Sequence, residues 1–298
     1  MLDLLLAPLQ YEFLQRGLLA ASLVGAICAV VGCFVILRSM AFLGDAMAHS
    51  VLPGVAVAYL LGGNLTLGAL VAAVLVAVGI SFFSRKGTIR EDTAIGILFS
   101  SALALGIAII STIRSYALDL SHILFGNVLG VQTGDLILIA VLGFVVMITL
   151  ILVYRPFLVL TFDPILAATF RLPVDLLRSL LIILVSVTIV ISLQVVGIAL
   201  VAAMLVTPAA TAFLITRRLP AMVATSAVLG ALSGVVGLYA SYYLNIASGA
   251  AVVLSATCFF LLAFFFSPRR GILMERFRTA SGKSHHPGEP LHIVDRRS

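Results

Sequence analysis

Of the twelve acidic side chains and five histidines in this 298-residue sequence, only Asp45 and His49 lie well inside an apolar run. They are four residues apart. On a helix they share one face, about one turn from each other. With Arg38 at the membrane surface and about 1.5 Å of rise per residue, Asp45 is roughly 10 Å deep and His49 roughly 16 Å. That is near the middle of a hydrocarbon core about 30 Å thick. An ionised group there costs about 2.5–3.5 kcal/mol on insertion scales, so the pair needs a compensating role. Three chemistries fit. The first is an Asp–His hydrogen bond that fixes helix packing. The second is a cation site, because a carboxylate oxygen and an imidazole nitrogen suit Mn, Fe(II) or Zn. The third is a proton relay. Leu52-Pro53-Gly54 follows, and proline with glycine loosens a helix where it lines a pathway.

Other chemistry is poorly represented. There is neither a His-Glu-x-x-His nor a Gly-x-Ser-x-Gly stretch. Gly282-Lys283-Ser284 resembles the end of a phosphate-binding loop, but that loop needs glycine at 277, where Phe277 stands, and a preceding strand. If ATP drives this protein, another chain must bind it. Cys28, Cys33 and Cys258 have neither a disulfide nor a zinc spacing and read as small buried or lipid-facing hydrophobes. His285, His286 and His292 are read as part of a solvated tail, with weak metal binding as the alternative.

The elements that must carry Asp45 and His49 follow from composition. The chain is 62% hydrophobic and 10% charged, with a mean hydropathy of +1.24. Soluble domains are nearer half apolar and a quarter charged. This excludes a soluble enzyme, a disordered protein and a nucleic-acid partner. Apolar runs at 13–37, 42–61, 64–83, 93–113, 134–154, 179–196, 197–215, 221–243 and 251–267 predict an all-α, polytopic membrane protein with nine spans, or eight if the first does not cross. The shorter run 116–131 holds Asp119, His122 and Asn127, so we read it as a helix at the surface or dipping in. With no basic residue before Arg16, the start does not read as a cleaved signal peptide. Residues 1–274 form the membrane domain. Residues 275–298 form a basic, histidine-containing, disordered tail.

The net charge of +6 reports orientation. If 84–92 faces the cytoplasm, sixteen of the eighteen basic residues fall on that side and only Arg16 and Arg114 outside. Nine spans then place the N-terminus outside and the C-terminus in the cytoplasm. The longest inner joint, 155–178, holds Pro156, Pro164 and Pro173. Asp163 before Pro164 predicts a helix start, and Leu166, Ala167 and Phe170 then form one apolar face. Such a helix either docks into a partner's groove or lies in the lipid interface.

Several stretches together resemble a known family. They are Arg38 to Gly54, including Gly44-Asp45-Ala46-Met47-Ala48-His49, then Glu91-Asp92-Thr93-Ala94-Ile95-Gly96 and Asp163-Pro164 through Leu172-Pro173. Gln194-Val195-Val196-Gly197, Thr207-Pro208-Ala209-Ala210-Thr211, Tyr242-Tyr243-Leu244 and Ser248-Gly249 continue the series. Over about 13–267 the chain resembles the membrane permease subunit of ATP-binding-cassette importers for manganese, zinc or iron. That resemblance implies a non-enzymatic, multi-pass protein of the bacterial plasma membrane without a resident cofactor. It implies a homodimer with two cytoplasmic ATP-binding subunits and an extracellular or periplasmic metal-binding protein. It assigns the transported ion to Asp45 and His49. It assigns the ATPase contact to a coupling helix within 163–173, with Asp163, Pro164, Leu166, Ala167 and Phe170. The family often has Asp-Pro-Glu and a glycine before Leu-Pro, where this chain has Ile165 and Arg171. Met47 and Leu52-Pro53-Gly54 resemble the manganese and iron branch more than the zinc branch. The competing class is a proton-coupled secondary metal transporter using the same Asp–His pair, but the second half of the chain holds no matching Asp-x-x-x-His segment.

Overall fold

In the computed structural model, which describes residues 10–85, 89–112, 126 and 128–266, the chain forms helices and no strand among those residues. The helices are α1 (Glu12–Leu37), α2 (Ala41–Ser50), α3 (Leu52–Leu60), α4 (Leu65–Ser84), α5 (Glu91–Ser111), α6 (Thr133–Leu152), α7 (Tyr154–Phe162), α8 (Pro164–Thr169), α9 (Val174–Val196), α10 (Ile198–Ile215), α11 (Leu219–Leu244) and α12 (Ser248–Phe266). A 3-10 turn covers Val128–Gly130. Taking α2 and α3 as one span, eight segments among the described residues are long and apolar enough to cross a membrane. In α10 the apolar stretch Leu200–Ile215 is shorter. Most of the run 116–131 and the whole tail 275–298 lie outside the described residues.

Breaks in the helices have local causes. Pro53 offers no N–H to the carbonyl of His49, four residues back, and the N–H of Val51 turns to that carbonyl instead. Gly197, at φ 83°, separates α9 from α10 where the sequence predicts a break. One boundary differs from expectation. The joint 155–178 is largely helical, because α6 resumes as α7 after Val153 and α9 begins at Val174 rather than at 179. Asp163, in an extended conformation, and Phe170 to Pro173 interrupt the helices there.

Four basic joints gather at one end of the bundle. Arg38 reaches Glu91, and Arg85 lies 3.9 Å from Asp175. Leu37, Phe162, Arg217 and Arg218 line one cavity. The opposite end is closed by the 3-10 turn, where Val128 meets Gly17 and Gly126 packs on the backbone at Val196 and Gly197.

α1, α2–α3 and α9 are the most buried spans and form the centre, whereas α4, α5, α6 and α12 present mostly outward faces. Helices without a hydrophobic drive between them pack through small residues. Gly25 of α1 meets Gly230 of α11 backbone to backbone, Gly32 meets the carbonyl of Leu205, and Gly54 of α3 meets Gly68 of α4. Cys28 and Cys33 share this centre, 2.9 Å from the Ser192 hydroxyl and 3.0 Å from the Ser226 hydroxyl respectively, while Cys258 is exposed. A methyl group at Gly25 or Gly230 meets backbone that cannot yield. We expect Gly25→Ala and Gly230→Ala each to cost about 1–3 kcal/mol, read as a lower unfolding temperature in detergent. Gly134→Ala, which meets nothing within 4 Å, should leave it unchanged. Equal behaviour of all three would contradict this packing.

Candidate functional site

The chain turns sharply between α1 and α2. Ser39 takes a left-handed φ of 57°, and the N–H groups of Ser39 and Met40 bond back to Ile36 and Val35. This turn aims α2 with one face inward. Leu43, Ala46, Met47 and Ser50 are buried there, and Gly44 lets the helix lie against Ala202 and Leu205 of α10. Asp45 and His49 fall on the opposite face. Their side chains are 46% and 28% exposed. His49 Nε2 lies 3.7 Å from Asp45 Oδ1, which is too long for a hydrogen bond.

The His49 imidazole lies against Phe99 of α5, ring centres 6.2 Å apart and tilted by 54°. Phe99 meets Phe42 edge-on at 5.9 Å. Phe99 thus meets both the histidine and the exposed Phe42. Phe99 is one of eighteen phenylalanines, and no feature of the sequence marks it out. Met47 is wholly buried and points away from the pair. Among the described residues, no three of His, Cys, Asp and Glu come together as a metal set. One copy of the chain thus brings one carboxylate and one imidazole together on this face.

The second predicted segment begins where expected. The Asp163 carboxylate accepts hydrogen bonds from the N–H groups of Ile165 and Leu166 at 2.9 and 3.0 Å, with Pro164 in the first turn of α8. Arg171 closes it in a left-handed conformation, φ 55°. That conformation costs a non-glycine residue about 1–2 kcal/mol, which explains why glycine suits this position. The side chains divide differently from expectation. Leu166 and Phe170 are exposed, but Ala167 is fully buried against the bundle. Ile165, 80% exposed, takes its place on the outer face. The helical spacing used for the sequence reading could not show this, because on six residues it does not say which side meets the protein.

A family model described as the ABC 3 transport family matches residues 10–267. The manganese transport system membrane protein MntC of Halalkalibacterium halodurans is 48% identical over 275 residues, 92% of this chain and 94% of that protein. MntC of Listeria monocytogenes is 46% identical over 270 residues, 91% of this chain and 96% of that one. Among solved structures, PsaBC from Streptococcus pneumoniae in complex with Fab superposes with a TM-score of 0.81 at 39% identity, over 94% of this chain and 99% of that one.

Proposed function

This chain belongs to the ABC 3 transport family, and from that premise we propose that it is the permease through which an ATP-driven importer moves manganese into the cytoplasm. It is a multi-pass protein of the bacterial plasma membrane. The observation that carries the metal assignment is the exposed Asp45–His49 pair. Left facing lipid, half-exposed ionisable groups partway along a span are costly, and the hydrogen bond that would offset them is not made. A second copy related by a two-fold axis covers that face and supplies the same two donors again. Two carboxylates then offset the charge of a divalent ion, and two imidazoles complete a four-donor set. Zinc is satisfied by four such donors, whereas manganese takes further oxygen ligands such as water. The manganese relatives favour the latter cargo.

The energy source is a separate subunit. The segment 153–173 is the longest joint at the basic end of the bundle, and the positive-inside rule places that end in the cytoplasm. There α8 presents Ile165, Leu166 and Phe170 to a groove on a cytoplasmic ATPase. An extracellular or periplasmic binding protein delivers the ion to the opposite end. The proposal predicts ATP-dependent uptake by vesicles that contain this chain with its ATPase and binding protein. Comparing Mn, Zn and Fe side by side should give uptake favouring Mn. Equal uptake without the ATPase, driven by a proton gradient, would instead make the chain a secondary transporter.

A further inference from the structure

The face that carries Asp45 and His49 continues across a second helix. α2–α3 and α5 run in the same direction and touch along their length. Arg38 contacts Glu91 at the basic end, the Phe99 ring meets both Phe42 and His49, and Gly106 packs on Leu52 and Pro53. Depth is read on α5 as on α2. Ser100 lies nine residues past Glu91, and His49 lies eleven past Arg38. At about 1.5 Å per residue they are roughly 14 and 16 Å from that end. Ser100 is thus level with the histidine that its neighbour Phe99 touches.

Rotation about α5 says which way Ser100 turns. Successive residues of a helix are about 100° apart. Leu98 faces α4, where it packs on Gly79. Ile95 and Ala102 are buried, and Phe99 faces α2. Going round α5 from α4, the order is therefore Leu98, Ala102, Phe99, Leu103, Ser100. On α2, Ala46 is buried on the inner side of the same seam, and Asp45 lies on the outer side. Because the two helices are parallel, Asp45 and Ser100 open onto the same outer side. Ser101 lies past Leu98 instead, on the other flank of α5. Both serines are exposed.

Their hydroxyls behave differently from others in the bundle. Ser50, Ser81, Ser186 and Ser192 turn back onto the carbonyl four residues earlier, a bond open to any helical serine. Among the described residues, Ser100 and Ser101 make no such bond. Ser100 thus presents an unused oxygen on the face of the carboxylate and the imidazole. Zinc is satisfied by four donors, whereas manganese suits an octahedral, oxygen-rich shell. Two copies of Asp45 and His49 give four donors. Two Ser100 hydroxyls raise the set to six, with oxygen in the majority.

We propose that Ser100 is a third ion-facing residue: from each of two copies its hydroxyl joins Asp45 and His49 and supplies the oxygen that favours manganese over zinc. This rests on reading Asp45 and His49 as the metal site of a two-fold pair.

The test measures Mn and Zn bound at equilibrium by the full-length permease dimer in detergent. Ser100→Ala should weaken Mn binding roughly tenfold, the lower end of the loss for a group that supports a metal site, and leave Zn binding within about twofold. Ser100→Thr keeps the hydroxyl and should bind Mn as the parent does. Ser101→Ala should change neither metal. Cadmium with Ser100→Cys reads the position directly, because thiolates prefer soft ions. A thiolate at the site gives an ultraviolet thiolate-to-cadmium absorption. The parent and Ser101→Cys should lack it, since Cys28 and Cys33 are buried and Cys258 lies on α12. If Ser100→Ala does not accumulate, this absorption decides alone. Parental Mn binding in Ser100→Ala overturns the proposal and leaves the hydroxyl as glue between the two copies. Equal loss of both metals, or equal absorption by the two cysteine variants, overturns it as well. If Asp45→Ala binds Mn as the parent does, the metal-site reading itself fails. If Asp45→Ala loses Mn while Ser100→Ala keeps it, only the role of Ser100 fails.

Discussion

Asp45→Ala and His49→Ala are each expected to abolish manganese uptake while the permease still folds, inserts and pairs with its second copy. The expectation follows from where the two side chains point. Neither fills the core of its own bundle, since both lie on the exposed face of α2 and their mutual distance of 3.7 Å is too long for a hydrogen bond. Truncation therefore leaves no cavity and no orphaned partner within the chain. In a two-fold site it removes two of four donors at once, because both copies carry the change. Loss of a residue that merely orients a metal ligand costs about 10–100-fold in affinity or activity. Loss of two ligands should exceed that, and uptake should fall to the level of vesicles without permease. Size-exclusion profiles and unfolding temperatures should match the parent. His49→Gln, which keeps polarity without the imidazole nitrogen, should remain inactive. Parental uptake in both alanine variants would return the pair to a role in packing.

The second large effect lies at the other end of the proposed energy path. Leu166→Asp should weaken ATPase binding by roughly thirtyfold, the equivalent of about 2 kcal/mol for a residue at the centre of an interface. Ile165 and Leu166 on the six-residue helix and Phe170 just after it are three large apolar side chains left exposed. A carboxylate among them must be desolvated when a groove closes over it. Phe170→Ala removes area without adding charge and should do less. Ala167 is the wrong place to test the contact. It is buried against the bundle, so a larger side chain there would disturb the permease itself. Co-purification with the ATPase, then hydrolysis and uptake in the same vesicles, measures the effect. If Leu166→Asp and Phe170→Ala copurify and transport as the parent does, α8 belongs to the lipid interface.

Much of this architecture follows from the chain order of apolar residues, because a bilayer leaves few alternatives. Backbone groups in hydrocarbon must bond within their own segment, so each long apolar run becomes a helix, and most of the predicted runs lie within a few residues of the observed helices. The break at Gly197 and the start of α8 after Asp163 were equally legible, because each depends on the local chemistry of one or two residues. The Asp45–His49 spacing was enough to place both side chains on one face of a helix.

Tertiary structure decided which way that face turns. In a membrane bundle the lipid-facing and inward sides of a helix are both apolar, so the sequence does not say which of them Asp45 and His49 join. Packing of Gly44 against α10 sets Asp45 and His49 outward, and Phe99 reaches the histidine from fifty residues away. The same holds for α8, where Ala167 and Ile165 exchange their expected roles because burial against the bundle selects the face. The meeting of Arg38 with Glu91 depends on how α1, α2 and α5 end together at one surface. Local pattern determines the helices because their hydrogen bonds are local. Which groups meet across helices depends on side-chain volume and on the glycines that let backbones approach, and those contacts exist only once the bundle is packed.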